Sequence, residues 1–251
     1  KELAEVDITK EPMEVGPTLH YFMGGIRVDS DTQQTNIPGL FACGECAGGM
    51  HGANRLGGNS LSDLLVFGKL AGDGAVEHVH SNAQGNISQE QVASIIRNAT
   101  GFLNRAEGPN PFVVHERLQE IMQNHVGIVR DEKELKEGIS KLQGLKSEIL
   151  KVKASSTSQY NPGWNMAIDL QNLIITGEAV ARAALLREES RGAHTRLDFE
   201  EEREEGLTYN VIIRKGANGT MEARREKRPA PPKELFTIAQ ATLEELEGFH
   251  A

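Results

Sequence analysis

The sequence has almost no cysteine, no long apolar run and no cationic excess, and each shortage removes a class of protein. Its 251 residues include 2 cysteines, Cys43 and Cys46. A disulfide framework is therefore excluded, and a reducing compartment is the simpler expectation. No stretch of about 18 apolar residues occurs, so no segment is expected to span a membrane. The opening stretch, KELAEVDITK, lacks the apolar core of an export signal. It begins with Lys1 in a polar run, which raises the expectation that further chain precedes it. Asp and Glu number 36 against 27 Lys and Arg, for a formal charge of -9. Phosphate binding wants clustered cations, so no nucleic acid is expected as a partner.

At 38% hydrophobic residues the chain can bury a core and hold one large domain or two smaller ones. Its first region, residues 1–85, is rich in glycine and short extended runs. Ile26-Arg27-Val28-Asp29 alternates as a strand does, Asn36-Ile37-Pro38-Gly39 reads as a turn, and Leu40-Phe41-Ala42-Cys43 is an apolar run closed by Gly44. A helix should follow, capped by Asn59 or Ser60. Asp63 falls in its first turn, where the helix dipole favours negative charge, and Leu61, Leu64, Leu65, Leu70 and Val76 recur at helical spacing.

Residues 86–190 are helical in pattern throughout. Ser88 and Gln91 form a capping-box pair ahead of Val92, Ile95, Ile96, Ala99 and Leu103. Pro111 opens a second helix with Val114, Leu118, Ile121 and Met122, and Leu135, Ile139, Leu142, Leu145 and Ile149 mark a third. Asn161-Pro162 begins the last, running through Leu173, Val180 and Leu186. Four such stripes predict a helical bundle. Residues 191–251 are mixed. Glu200 to Glu205 reads as a solvated surface segment. Val211-Ile212-Ile213, Gly216-Ala217-Asn218-Gly219 and Met221 to Arg224 predict a hairpin, and Pro229, Pro231 and Pro232 argue against regular structure beyond it.

Two glycine-rich segments carry the chemical signal. The first is Gly16-Pro17-Thr18-Leu19-His20-Tyr21-Phe22-Met23-Gly24-Gly25-Ile26. The second runs from Gly39-Leu40-Phe41-Ala42-Cys43-Gly44-Glu45 through His51-Gly52-Ala53-Asn54-Arg55-Leu56-Gly57-Gly58-Asn59-Ser60-Leu61 to Val66-Phe67-Gly68. They resemble the PTxHYxMGGI and GLFAxGE…HGANRLGGNSL…VFG segments of the flavoprotein subunit of succinate dehydrogenase and fumarate reductase. Arg187-Glu188-Glu189-Ser190-Arg191-Gly192-Ala193-His194 resembles that family's R-x-E-S-R-G-A-H stretch.

The resemblance implies an α/β flavin-domain segment, the second half of an FAD-binding domain, followed by an all-α helical bundle and a small mixed C-terminal region. It implies FAD as cofactor, and Arg55 and His20 as ligands of a dicarboxylate, succinate or fumarate. A planar guanidinium grips a carboxylate through two parallel hydrogen bonds, which fixes orientation as well as charge. Without the motif, Arg55 would be read as pinning its loop to a carbonyl and His20 as a packed or surface residue. The resemblance assigns Glu45 to hydroxyls of FAD, against the plain reading of a loop carboxylate capping a backbone amide. It assigns Ser60 and Leu61, at the start of a helix, to the flavin ring.

No catalytic residue is assignable. The family's proton-transferring arginine, its G-x-G-x-x-G fingerprint and its flavin-linking histidine are expected upstream, and Arg27 has no counterpart in that role. Cys43-Gly44-Glu45-Cys46 invites a redox or zinc reading, but zinc needs further ligands and no second C-x-x-C exists, so no metal is expected.

The partners implied are the N-terminal half of the same flavoprotein, an iron-sulfur subunit, and membrane anchor subunits reached through it. The location implied is peripheral, on the cytoplasmic face of a bacterial inner membrane or the matrix face in mitochondria. The fragment alone is expected to be inactive. L-aspartate oxidase has the same fold and a similar HGANR segment, although Leu56-Gly57-Gly58 and Phe22-Met23-Gly24-Gly25 match the succinate and fumarate enzymes better. A non-catalytic helical module would leave the glycine segments unexplained.

Overall fold

The computed structural model describes residues 6–16 and 18–242; Pro17 of the first glycine segment and residues 1–5 lie outside them. Helix α1 runs Asn59–Ser81, α2 Gln89–Gly101, α3 Pro111–Val126, α4 Glu132–Ile149 and α5 Pro162–Leu186. The starts of the last four are chemically marked. Ser88 accepts from the Gln91 N–H, Asn110 from Phe112, Asp131 from Glu134 and Asn161 from Trp164, each satisfying a donor that the helix leaves open. Pro111 and Pro162 sit where a missing N–H costs nothing.

The core lies between α3, α4 and α5. Val114 and Leu118, Leu135, Leu142 and Leu145, and Leu170 and Ile174 meet there, fully or almost fully buried. Each such aliphatic side chain contributes about 1.5–3 kcal/mol by leaving water. One charge is buried among them. Glu178 of α5 reaches Lys146 of α4 and Arg182 one turn on, at 2.7 Å from Arg182. Burial raises its pKa, but the hydrogen bonds and charges of the two cations prevail and leave it below the ordinary carboxylate value.

The expected four-helix bundle is corrected to three. Helix α2 buries none of its residues, and Val92, Ile95 and Ile96 remain exposed. It is tied on at its end, where Trp164 Nε1 donates to Ala99 O at 2.7 Å and Phe102 enters the core. Leu61, Leu64, Leu65 and Val76 of α1 are likewise exposed, and α1 buries Asp63, Ala71 and Gly74 instead. Its N-cap is Gly58, not Asn59 or Ser60.

The expected strands of the first region also shrink. Ile26 forms a single parallel bridge to Ala47, and Phe41 a single antiparallel bridge to Gln34. A strand is completed by a neighbour, and among the described residues no longer ladder reaches these runs. The regular strands lie elsewhere. Strand β1, Val129–Arg130, pairs in parallel with β2, Thr195–Arg196. Strand β3, Tyr209–Lys215, pairs antiparallel with β4, Met221–Lys227, with Ile212 opposite Arg224. Helix α6, Lys233–Gln240, follows Pro232 directly, so the prolines exclude regular structure only up to their own positions: a proline just before a helix costs it no hydrogen bond. Residues 200–205 are exposed as expected, yet Glu202 and Arg203 pair with Arg191 and Glu188.

Candidate functional site

The two glycine segments lie against each other through backbone. Ile26 N–H donates to Cys46 O at 2.8 Å and Gly48 N–H to Ile26 O at 2.9 Å. Gly25, at φ 148°, permits this approach. A β-carbon there would collide with Cys46 O and sit 2.7 Å from its carbonyl carbon. The neighbouring Cys43 thiol is half-buried and the Cys46 thiol exposed.

This contact carries Tyr21 over the second segment, where it becomes the centre of the site. Its hydroxyl donates to Asp63 Oδ2 at 3.2 Å and lies 3.1 Å from His51 Nε2. The same imidazole nitrogen is 3.2 Å from Asp63 Oδ2. With the phenol hydrogen given to Asp63, the hydrogen on His51 Nε2 faces both oxygens. Desolvation first, and then the Asp63 carboxylate, hold the Tyr21 phenol above its ordinary pKa, so it stays a donor.

Arg55 lies half-buried on the Tyr21 ring, its guanidinium carbon 4.8 Å from the centroid, within cation–π range. Its Nη1 donates to Leu56 O at 3.2 Å, the plain role considered for it. Its Nε is buried and has no hydrogen-bond partner among the described residues. A buried, unpaired charged donor is costly unless something accepts from it, and a carboxylate has the matching geometry. His20 is exposed and stands edge-on to Tyr21, ring centroids 6.5 Å apart. Tyr21 therefore touches both expected carboxylate ligands.

Glu45 is exposed, and its Oε1 accepts from the Phe22 N–H at 2.9 Å. One oxygen thus does cap a backbone amide, and among the described residues the other makes no hydrogen bond. Ser60 and Leu61 open the 23-residue helix α1, whose N-cap carries no side-chain hydrogen bond, and Leu61 is 69% exposed. Added β-carbons at Gly57 or Gly58 would meet nothing within 4 Å. Leu61 N–H turns back to Gly58 O at 3.3 Å and Asn59 N–H to Leu56 O at 3.2 Å, which leaves the Ser60 N–H open among the described residues. An open amide beside a bare glycine loop and an uncovered leucine suits a flat, electron-rich ring. Arg27 is tied elsewhere, to Glu226 of the hairpin at 2.5 Å.

Sequence reasoning missed Asp63 and His51. Asp63 was expected as a first-turn dipole charge, but it is buried one turn inside α1 and holds the phenol. Only its place within a leucine-rich stretch signalled burial.

Residues 115–240 match the family model described as Fumarate reductase flavoprotein C-term. The chain belongs to the succinate dehydrogenase and fumarate reductase flavoprotein family. Residues 1–61 of this flavoprotein chain match an FAD binding domain model, and FAD is the cofactor indicated. It is 39% identical over 202 residues to the fumarate reductase flavoprotein subunit of Escherichia coli K12, covering 79% of this chain and 33% of that protein. It is 36% identical over 252 residues to the succinate dehydrogenase flavoprotein subunit of Coxiella burnetii, covering 93% and 42%. The solved structure of Mycobacterium smegmatis Sdh1 in complex with UQ1 matches with a TM-score of 0.89 and 44% identity, over 98% of this chain and 42% of that one. The flavoprotein chain thus spans under half the length of these relatives. Among the described residues no helix is long and apolar enough to cross a membrane.

Proposed function

We propose that this chain is part of an FAD-containing catalytic subunit that interconverts succinate and fumarate and passes electrons to an iron-sulfur subunit. The observation that carries the reading is Arg55: a guanidinium laid on an aromatic face, with a buried donor unpaired, beside an exposed histidine. Bound FAD would accept or return the hydride of this reaction.

The chain's own residues bind and orient. Arg55 holds one carboxylate through its fork, and His20 donates to the other, so the carbons between them have one direction to face. Tyr21 keeps the guanidinium flat, and the Asp63 and His51 contacts keep Tyr21 in place. Glu45 offers its second oxygen to hydroxyls of FAD, and the start of α1 at Ser60 and Leu61, with the Ser60 amide open, faces the ring edge where negative charge gathers on reduction.

In this reading residues 1–85 complete an FAD-binding domain whose other half is the N-terminal part of the same flavoprotein. Residues 86–190 form the helical domain, and residues 191–251 a C-terminal extension. The relatives support an iron-sulfur partner, membrane anchor subunits reached through it, and a peripheral position on the membrane. The test is Arg55→Ala in the holoenzyme. Flavin should stay bound while kcat/KM for succinate falls at least ~10²-fold, and Lys should rescue poorly because a point charge cannot reproduce the fork. Near-normal turnover in the Ala variant would overturn the assignment.

A further inference from the structure

The backbone just before Arg55 is gripped by a turn far along the chain. Residues 191–194 close on themselves: Arg191 N–H donates to His194 O at 2.8 Å, and His194 N–H returns to Arg191 O at 3.0 Å. Ala193 N–H points out of this turn and donates to Ala53 O at 3.0 Å. Gly192 beside it has φ 58°, and a β-carbon there would collide with Ala53 O, lying 2.7 Å from its carbonyl carbon and 2.8 Å from its Cβ. Only Asn54 separates the gripped residue from Arg55.

The turn itself is held on every side. Arg191 bonds Glu189 at 3.0 Å, Glu202 at 2.8 Å and Arg203 O at 2.9 Å. His194 Nδ1 lies 2.9 Å from Arg130 Nη1, which can only donate, so its Nε2–H donates to Arg187 O at 3.0 Å. Arg196, fully buried, donates to Ala184 O at 2.9 Å and Leu185 O at 3.2 Å, closing open carbonyls of α5, and pairs with Asp198. The turn is thereby fixed to the packed helices. The Arg55 loop has no such support: residues 52–54 and 56–59 are exposed and include three glycines.

Resting on the reading of Arg55 as a carboxylate ligand, we infer that Gly192 and Ala193 are positioning residues for it. A carboxylate fork works only within about half an ångström and 10–20° of its productive geometry. A glycine-rich loop does not supply that stiffness by itself. The hydrogen bond at Ala53, with close packing that only glycine allows at position 192, transfers it from the helical domain to the dicarboxylate site.

The experiment uses the holoenzyme carrying Gly192→Ala or Ala193→Pro. The first adds the colliding carbon; the second removes the donor. Gly219→Ala is the control for backbone strain, since Gly219 also has positive φ, 79°, with nothing within 4 Å of an added β-carbon. Malonate, a dicarboxylate inhibitor, is the binding probe. Both test variants should raise the malonate Kd and the succinate KM by at least ~10-fold, with kcat at saturation less affected and flavin content equal to that of the control. Unchanged malonate affinity in both would overturn the brace, as would loss of flavin together with binding. If Arg55→Ala leaves malonate affinity intact, the reading of Arg55 itself fails. If it abolishes binding while the Gly192 and Ala193 variants bind normally, only the brace fails.

Discussion

The Tyr21 hydroxyl donates to the buried Asp63 carboxylate at 3.2 Å, across 42 positions of sequence, and so fixes the ring on which the Arg55 guanidinium lies. Helix α1, which starts with the residues assigned to the flavin ring, is thereby joined to the group assigned to the substrate. In the proposed reading, flavin and carboxylate would be held by one connected piece of protein.

The ring and the hydroxyl of Tyr21 can be tested separately. Tyr21→Phe keeps the face beneath Arg55 and loses the bonds to Asp63 and His51; Tyr21→Leu loses both. A cation–π contact of about 0.5–2 kcal/mol predicts a rise in succinate KM of about 2- to 30-fold for Leu and a smaller one for Phe. Equal rises in steady-state assays would assign the effect to the hydroxyl.

Glu45→Ala should weaken FAD retention, read as the flavin absorbance left after gel filtration. Cys43→Ser and Cys46→Ser should leave flavin content and turnover largely intact, because the proposed site uses neither thiol. Activity lost with either serine would reverse that ranking.

Acid should loosen the turn that braces Arg55, in two stages. Burial first, and then the charges of Arg130, Arg196 and Arg187, push His194 from 6.5 down to about 4, against the opposing bond to Arg187 O. The native state binds this proton more weakly than the unfolded chain, so the contribution is full above pH 6.5 and is lost as pH falls through about 4. Burial opposes the Glu189 carboxylate, but bonds from Arg191, the Arg203 N–H and Arg187 hold it at about 2. The bond from Arg196 chiefly holds Asp198 at about 2. These carboxylates stabilise above their ordinary 4.5 and 3.8, and that contribution is lost as pH falls toward about 2. Thermal midpoints should therefore decline below pH 6.5, and His194→Gln should flatten only the upper stage.

Glu189→Ala should cost far more than its one charge suggests. The carboxylate is almost fully buried, and its loss leaves Arg187 with carbonyl partners alone and Arg191 with Glu202 as its one remaining carboxylate. Breaking such a group predicts a loss of about 3–5 kcal/mol, against about 0.5 kcal/mol or less for exposed Glu200→Ala. Denaturant unfolding of the two variants gives the comparison, and equal midpoints would refute it.

What the sequence determined by itself was local. Caps at Ser88, Asn110, Asp131 and Asn161 act over two or three residues, and the hairpin turn over residues 216–219 over a few more, so their signals lie within one window of the chain. His20, Arg55 and Glu45 could be proposed from the sequence because each sits in an unbroken motif. Tertiary structure alone decided which helix faces were covered: Val92 and Ile95 have the same periodicity as Leu135 and Leu142, yet only the second pair meets other helices. It also decided the setting of the site. Tyr21 with Asp63 and Ala53 with Ala193 are pairs distant in sequence, joined by a phenol and by bare backbone, and neither kind of contact leaves a pattern in the residues around it. Such contacts exist only when packed elements bring the two ends within hydrogen-bond reach, which is a property of the whole fold rather than of any stretch of it.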